Sequence, residues 1–427
     1  MHNGCITFAQ TPRRYEACNR LKAVLAAKSI KEITSARFVF IVALAVRLVF
    51  GVATVISGVD IFTGNEPSHI AAHLAKGEGF SSPYDAVPIA PTAQQPPVYP
   101  VLLAIIFKFL GVYSRAALAV IVALNAVAGA GIAAFVYLVG RQYFSSTAAI
   151  VSAWAWVGWS EFVATDILIT NYTLSALAVL VWLRYLPAIE NRKTSWFFLG
   201  GAVGLGMLLN PTLVLVVIAS AGWLRQRSPR LLAAAVVGCF VVVSPWIVRD
   251  YLTLHAFYPA MRDDLGMQLY MGNHRGMEEN PQPCVSKLCE GTANFNNAGF
   301  PRQDPGPFAT LGEAEFMRHK QREAIAYIRS APAKFLLRTA KRVASFWLLP
   351  HPTLRFVIFT LAGTWLWRSS GPLRLFFLVM FGVYPIVFYI TQIAWVDCYR
   401  HPIEPLILLS AAASGESLYQ GLRSRFR

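Results

Sequence analysis

The chain has 427 residues, of which 56% are hydrophobic and only 14% charged, where soluble domains carry roughly a quarter charged residues. That balance excludes an ordinary soluble enzyme. The formal charge of +16 does not mark a nucleic-acid partner either. The basic residues are scattered over short loops and tails, where they orient a membrane protein against the cytoplasmic leaflet.

Residues 1–37 form a basic segment containing Arg13, Arg14, Arg20, Lys22, Lys28, Lys31 and Arg37. Leu21, Val24, Leu25 and Ile30 fall at roughly helical intervals there, which reads either as an amphipathic helix on the cytoplasmic surface or as a solvated tail. The apolar run Phe38–Gly58 follows without a small-residue cleavage site and reads as an uncleaved anchor. Arg47 lies near its middle, where a bare charge costs a few kcal/mol, so it must face protein or a cavity.

Basic residues then recur at Arg141, at Arg192 and Lys193, at Arg225, Arg227 and Arg230, at Arg368 and Arg374, and at Arg423, Arg425 and Arg427. Keeping them all cytoplasmic requires spans near 38–58, 116–139, 146–160, 170–186, 195–209, 211–224, 231–248, 353–367, 373–394 and 403–420. Val98–Val112 is left at the surface, because it is short, carries Lys108 and would invert every later loop if it crossed. The expected fold is therefore an all-α polytopic bundle of about ten transmembrane helices, with both termini cytoplasmic. Its parts are the segment 1–37, a core 38–248 that includes a first outer loop 59–115, a large outer loop 249–352, closing helices 353–420 and a basic tail 421–427.

Within the large loop, Leu311 to Trp347 reads as two helices broken at Ser330-Ala331-Pro332. Cys284 and Cys289 either close a small disulfide in an oxidising compartment or remain free thiols. Two cysteines are too few for a structural zinc site.

Several motifs stand on the expected outer face. The first loop carries Asn65-Glu66-Pro67-Ser68-His69, then Gly77-Glu78-Gly79-Phe80, then Pro91-Thr92-Ala93-Gln94-Gln95-Pro96-Pro97-Val98-Tyr99-Pro100. Asn210-Pro211-Thr212-Leu213 forms a turn. Ser244-Pro245-Trp246 leads through Arg249-Asp250-Tyr251 to Met261-Arg262-Asp263-Asp264-Leu265-Gly266 and Gly272-Asn273. Tyr399-Arg400-His401-Pro402-Ile403-Glu404-Pro405 precedes the last span. In kind and order these resemble the motifs of the GT-C membrane glycosyltransferases, the superfamily of the protein O-mannosyltransferases and aminoarabinose transferases. The resemblance runs over most of the chain from about residue 38. One departure stands out: where many members carry an acidic pair in the first loop, this chain has Asn65 before a single Glu66.

The resemblance implies transfer of a sugar from a polyprenyl-phosphate donor to an extracytoplasmic lipid, glycan or protein acceptor, at a bacterial plasma membrane and without a cofactor. Such chemistry needs a base for the acceptor hydroxyl and cations on the departing phosphate. Glu66 is expected as the base; its plainer reading is an acid at a helix N-terminus beside Pro67. Asp166, in the expected outer loop from Glu161 to Asp166, is a candidate for assisting the base or orienting the acceptor, against ordinary loop solvation. Arg400 leads the phosphate candidates, ahead of Arg262 and Arg249; pairing with headgroups or neighbouring acids is the alternative. His401 and Tyr99, inside two of the motifs, are counted with the substrate-binding residues. Glu66, His69 and His73 would share one helix face at i, i+3 and i+7, a spacing a metal could use, but such spacing recurs by chance and no metal is expected. Two other readings stay open. One is a transporter or flippase of lipid-linked glycans, which predicts internal repeats and midplane polar sites. The other is a lapsed relative that binds lipid-linked glycans without turnover.

Overall fold

A computed structural model of the chain describes residues 35–58, 62, 65–84, 88–191, 196–224, 228–258, 261–277, 305–391 and 396–425. Residues 1–34 of the N-terminal segment and the pair Cys284 and Cys289 lie outside the described residues. Among those described, the chain is helical with no strand; a single antiparallel bridge joins Ser81 to Pro91.

The helices in the first half are α1 (Ala36–Ser57), α2 (Glu66–Lys76), α3 (Val98–Leu110), α4 (Arg115–Tyr143), α5 (Ser146–Gly158), α6 (Ser160–Ile167), α7 (Tyr172–Asn191) and α8 (Trp196–Leu209). After the 3-10 turn Pro211–Leu213 come α9 (Val214–Ala219), α10 (Ala221–Leu224), α11 (Pro229–Leu254) and α12 (Leu265–Gly272). The remainder are α13 (Pro305–Leu311), α14 (Glu313–Ser330), α15 (Pro332–Leu348), α16 (Pro352–Arg368), α17 (Gly371–Gly382), α18 (Ile386–Ile390), α19 (Val396–Arg400) and α20 (Glu404–Arg425).

Local chemistry sets many of the ends. The side chains of Ser35, Ser114 and Ser145 accept hydrogen bonds from the backbone N–H of Phe38, Ala117 and Ala148, capping α1, α4 and α5. At the end of α2 the backbone turns left-handed at Gly77 (φ 85°) and again at Gly79 (φ 78°), conformations that favour glycine.

Each of the ten expected spans corresponds to a helix or a broken helix, 211–224 and 373–394 being interrupted. By length and apolarity, Ala36–Ser57, Arg115–Tyr143, Pro229–Leu254 and Gly371–Ile390 suffice to cross a bilayer. The pair α6 and α7 passes the same test together but is bent by 108°. The chain is a multi-pass membrane protein. Helix α3 has 13 residues, about 20 Å of rise, too short to cross a core of about 30 Å. It buries Tyr99, Leu103 and Phe107 and turns Val101, Ile105 and Phe109 outward.

Helix α4 is the centre of the bundle, packed by α1, α5, α6 and α7. Helices α8 and α11 cross so closely that a Cβ on Gly200 would sit 1.8 Å from the Ala235 carbonyl oxygen, and one on Gly238 would sit 1.9 Å from that of Phe197. Helix α16 pairs with α20, and α12 packs on α14.

Two expectations are corrected here. The stretch from Glu161 to Asp166 is not a solvated loop but helix α6, with Phe162, Val163, Thr165 and Asp166 buried. The final helix also continues through the expected tail as far as Arg425.

Candidate functional site

The first loop supplies Glu66 at the start of α2. Asn65 caps this helix: its side-chain oxygen accepts from the Ser68 N–H (3.1 Å) and hydroxyl (2.9 Å), while its amide donates to the Ile169 carbonyl (2.6 Å). This gives the missing acid a physical reason. An aspartate could cap α2, but it has no donor for Ile169.

The Glu66 carboxylate accepts a hydrogen bond from Gln95 Nε2 at 2.6 Å, and the Tyr84 hydroxyl lies 3.4 Å from its other oxygen. Tyr84 donates to Gln94 Oε1 at 2.5 Å, and Gln94 Nε2 is buried without a hydrogen-bond partner. Tyr84 packs beside Met267, Met271 and Phe308. Burial, followed by the negative charges of Glu66, Asp264 and Glu313, pushes its hydroxyl well above the usual tyrosine range.

The second loop grips the first along Phe80 and Thr92–Gln94. Arg249 donates to the carbonyls of Thr92 (2.6 Å) and Phe80 (2.7 Å), pairs with Asp250 (2.8 Å) and lies over the rings of Phe80 and Trp246. Arg262 Nε donates to the Gln94 carbonyl at 2.9 Å, and the Asp263 N–H donates to that of Ala93 at 2.8 Å. Glu313, 6% exposed, accepts from the Ala93 N–H (2.6 Å) and the Thr92 hydroxyl (2.5 Å). Burial pushes its carboxyl up to about 8, against the lowering effect of those two bonds. Asp263, accepting from the Tyr258 hydroxyl, is pushed to about 7, again chiefly by burial. The Pro-Thr-Ala-Gln-Gln motif is therefore held largely by its backbone, which leaves the Gln95 amide on Glu66 and the Gln94 amide on Tyr84.

Arg262 also pairs with Asp264 at 2.5 Å, and 31% of its side chain is exposed. Burial alone would lower its pKa, but the negative charges of Asp264 and Glu66 outweigh burial and raise it, so Arg262 stays a full cation. Tyr172, the first residue of α7, and Tyr399, in α19, meet edge to face with ring centroids 5.8 Å apart. Glu66 and Arg262 are thus both tied to the Gln94–Gln95 step, the first through the Gln95 side chain and the second through the Gln94 carbonyl.

The other candidates lie elsewhere. Asp166 is fully buried between Arg47 (2.6 and 2.7 Å) and His401 Nε2 (2.8 Å). It tolerates burial because Arg47 neutralises it, and Arg47 spends a further donor on the Trp156 carbonyl. Gly129 makes the room, since a Cβ there would stand 2.4 Å from Asp166 Oδ2 and 2.5 Å from Arg47 Nε.

Arg400, expected at the membrane edge, is fully buried and donates to Glu404 and to the carbonyls of Phe346 and Leu349. Glu404 also pairs with Arg355 (2.8 Å), which reaches Glu161 (2.9 Å), which in turn meets His351 (2.7 Å). Tyr99 is 2% exposed, its hydroxyl 3.5 Å from Asn125 Nδ2. His69 faces the Tyr113 hydroxyl (3.1 Å) and His73 faces Glu78 (2.5 Å), so the two histidines and Glu66 turn to three different partners. Among the described residues no group of three His, Cys, Asp or Glu side chains is placed to hold a metal ion.

Tyr84, Gln94, Gln95, Asp264 and Glu313 were not singled out from the sequence. Four of them sit inside or beside the quoted motifs, which was the available signal. Glu313 had none, being one acid among many in a long loop.

Residues 94–248, a little over a third of the chain, match the dolichyl-phosphate-mannose-protein mannosyltransferase family. No curated protein matches the chain. The matched stretch begins at Gln94, within the gripped motif, and ends just before Arg249. Together with the all-helical membrane fold, this match supports a membrane glycosyltransferase of the GT-C type.

Proposed function

We propose that the protein moves a sugar from a polyprenyl-phosphate carrier to an extracytoplasmic acceptor, with Glu66 as general base and Arg262 stabilising the departing phosphate. The tethering of these two residues from different loops to the adjacent Gln95 and Gln94, beside the family match, supports the reading. The donor class follows the description of the matched family; the outward placing of both loops and the cytoplasmic termini follow from charge patterning.

In this mechanism Gln95 orients the Glu66 carboxylate, which takes the acceptor hydroxyl proton as the oxygen attacks the sugar's anomeric carbon. The bond from that carbon to the phosphate oxygen breaks, and the electron pair leaves with the phosphate. Arg262, partly exposed and aimed by Asp264 and the Gln94 carbonyl, meets the charge that develops there. It takes the part first expected of Arg400, whose guanidinium is enclosed by protein carbonyls and Glu404. Asp166 and His401 then act as framework: a buried carboxylate with three protein bonds positions α6 and the start of the last helix. Arg249 and Tyr99 are framework in the same sense.

Purified protein in nanodiscs, given radiolabelled polyprenyl-phosphate sugars and a membrane extract as acceptor, tests the reading. Label should pass from the carrier into an acceptor fraction, and Glu66→Gln should slow transfer about a hundredfold or more, as expected for loss of a general base. Full activity of Glu66→Gln would remove the base assignment. Absence of transfer from every carrier-linked sugar would remove the transferase reading.

A further inference from the structure

Helices α14 and α15 belong to the same outer loop and are separated only by Ala331. Their exposed faces are opposite in character. Helix α14 buries Phe316, Met317, Ala324 and Tyr327 and exposes charge: Arg318 and Arg322 are 59% and 65% exposed and both pair with Glu315. This is the face of a helix in water. Helix α15 is inverted. It buries Arg338, Arg342, Ser345 and Phe346 and exposes Leu336 (66%) and Leu337 (62%) with Ala333 and Ala340.

The arginines on the inner face are engaged by protein: Arg338 donates to the Tyr327 hydroxyl at 2.7 Å, and Arg342 to the carbonyls of Gly272 and Tyr389. At 100° per residue, Ala333, Leu336, Leu337 and Ala340 fall on one arc. Lys334 and Lys341, both exposed, lie on a single edge of that arc, seven residues or about 10 Å apart. An apolar stripe bordered by lysines is the pattern of a helix lying in the plane of a bilayer surface. The chain runs on from α15 into α16, so α15 ends next to the helical bundle, where it packs on α16 and α18.

We infer that α15 is seated in the leaflet bordering this loop. Leu336 and Leu337 lie among acyl chains, and Lys334 and Lys341 hold the phosphates of anionic phospholipids. The Ala331-Pro332 break is then the point where the chain passes from water to lipid. This surface is independent of the transferase reading.

The test uses the full chain in nanodiscs of mixed phosphatidylglycerol and phosphatidylcholine, with benzoylphenylalanine replacing Leu337, Ala340 or, as the water-facing control, Arg322. Each variant is taken forward once it elutes and melts as the unsubstituted protein does. After irradiation, mass spectrometry should find phospholipid adducts at Leu337 and Ala340 at least tenfold above those at Arg322. Adding Lys334→Gln with Lys341→Gln should lower the phosphatidylglycerol share of those adducts severalfold. Adducts to a second copy of the chain, or lipid adducts no more frequent than at Arg322, would overturn the proposal. An unchanged phosphatidylglycerol share would overturn its headgroup half.

Discussion

Glu313 ties the two large loops together, and its protonation should govern how firmly. In the folded chain its carboxyl titrates near 8, against a usual glutamate value of 4.5, because it is buried beside Asp263. The folded state therefore holds a proton that the unfolded chain releases earlier. That contribution to stability is fully present below about pH 4.5 and is lost as the pH rises through about 8. One proton is worth about 1.36 kcal/mol per pH unit, so the loss across the window is at most on the order of 5 kcal/mol.

Glu313→Gln keeps an oxygen for the Ala93 N–H and an amide for the Thr92 hydroxyl, but it cannot ionise. Thermal melting in detergent, followed by tryptophan fluorescence from about pH 5 to about pH 8.5, should show the unsubstituted protein losing stability with rising pH while Glu313→Gln declines less. Asp263, at about 7, acts in the same direction, so the informative quantity is the difference between the two profiles. Parallel profiles, or a difference of opposite sign, would refute the account of a proton held at the latch.

Two further perturbations bear on the framework. Asp166→Ala leaves Arg47 buried without its carboxylate and should cost about 3–5 kcal/mol. Pairing Arg47→Met with Asp166→Asn should melt higher than the sum of the single losses predicts, and strict additivity would show that the two residues do not act as a pair. Asn65→Asp retains the cap on α2 but sets a carboxylate against the Ile169 carbonyl, for about 1–3 kcal/mol. Asn65→Ser, which caps without opposing that oxygen, should melt above Asn65→Asp, and the reverse order would discount the link to Ile169.

How much of this was legible in the sequence follows from which forces act locally. Apolar run length is local, so most expected spans coincide with a helix, 211–224 and 373–394 being interrupted, and the break after Ser330 falls where Pro332 requires it. The motif around Glu66 was legible because its parts are contiguous in the chain. The partners of single charges were not. Arg47 and Asp166 are 119 residues apart, and His401 lies 235 residues beyond Asp166. Nothing in the Glu161–Asp166 stretch announces that its last acid is buried.

For this protein the sequence by itself determined a multi-pass helical membrane chain, the places of its basic clusters and the order of motifs that resembles a membrane glycosyltransferase. These depend on transfer free energies and backbone preferences that each segment carries alone. Only the tertiary structure decided which charges are spent inside the protein and which remain on a surface. Arg400 and Arg262 both lie in motifs expected on the outer face, yet packing buries the first against Glu404 and leaves the second partly exposed beside Asp264. A charge's cost and use depend on the groups within a few ångströms, and in this fold those groups come from distant parts of the chain.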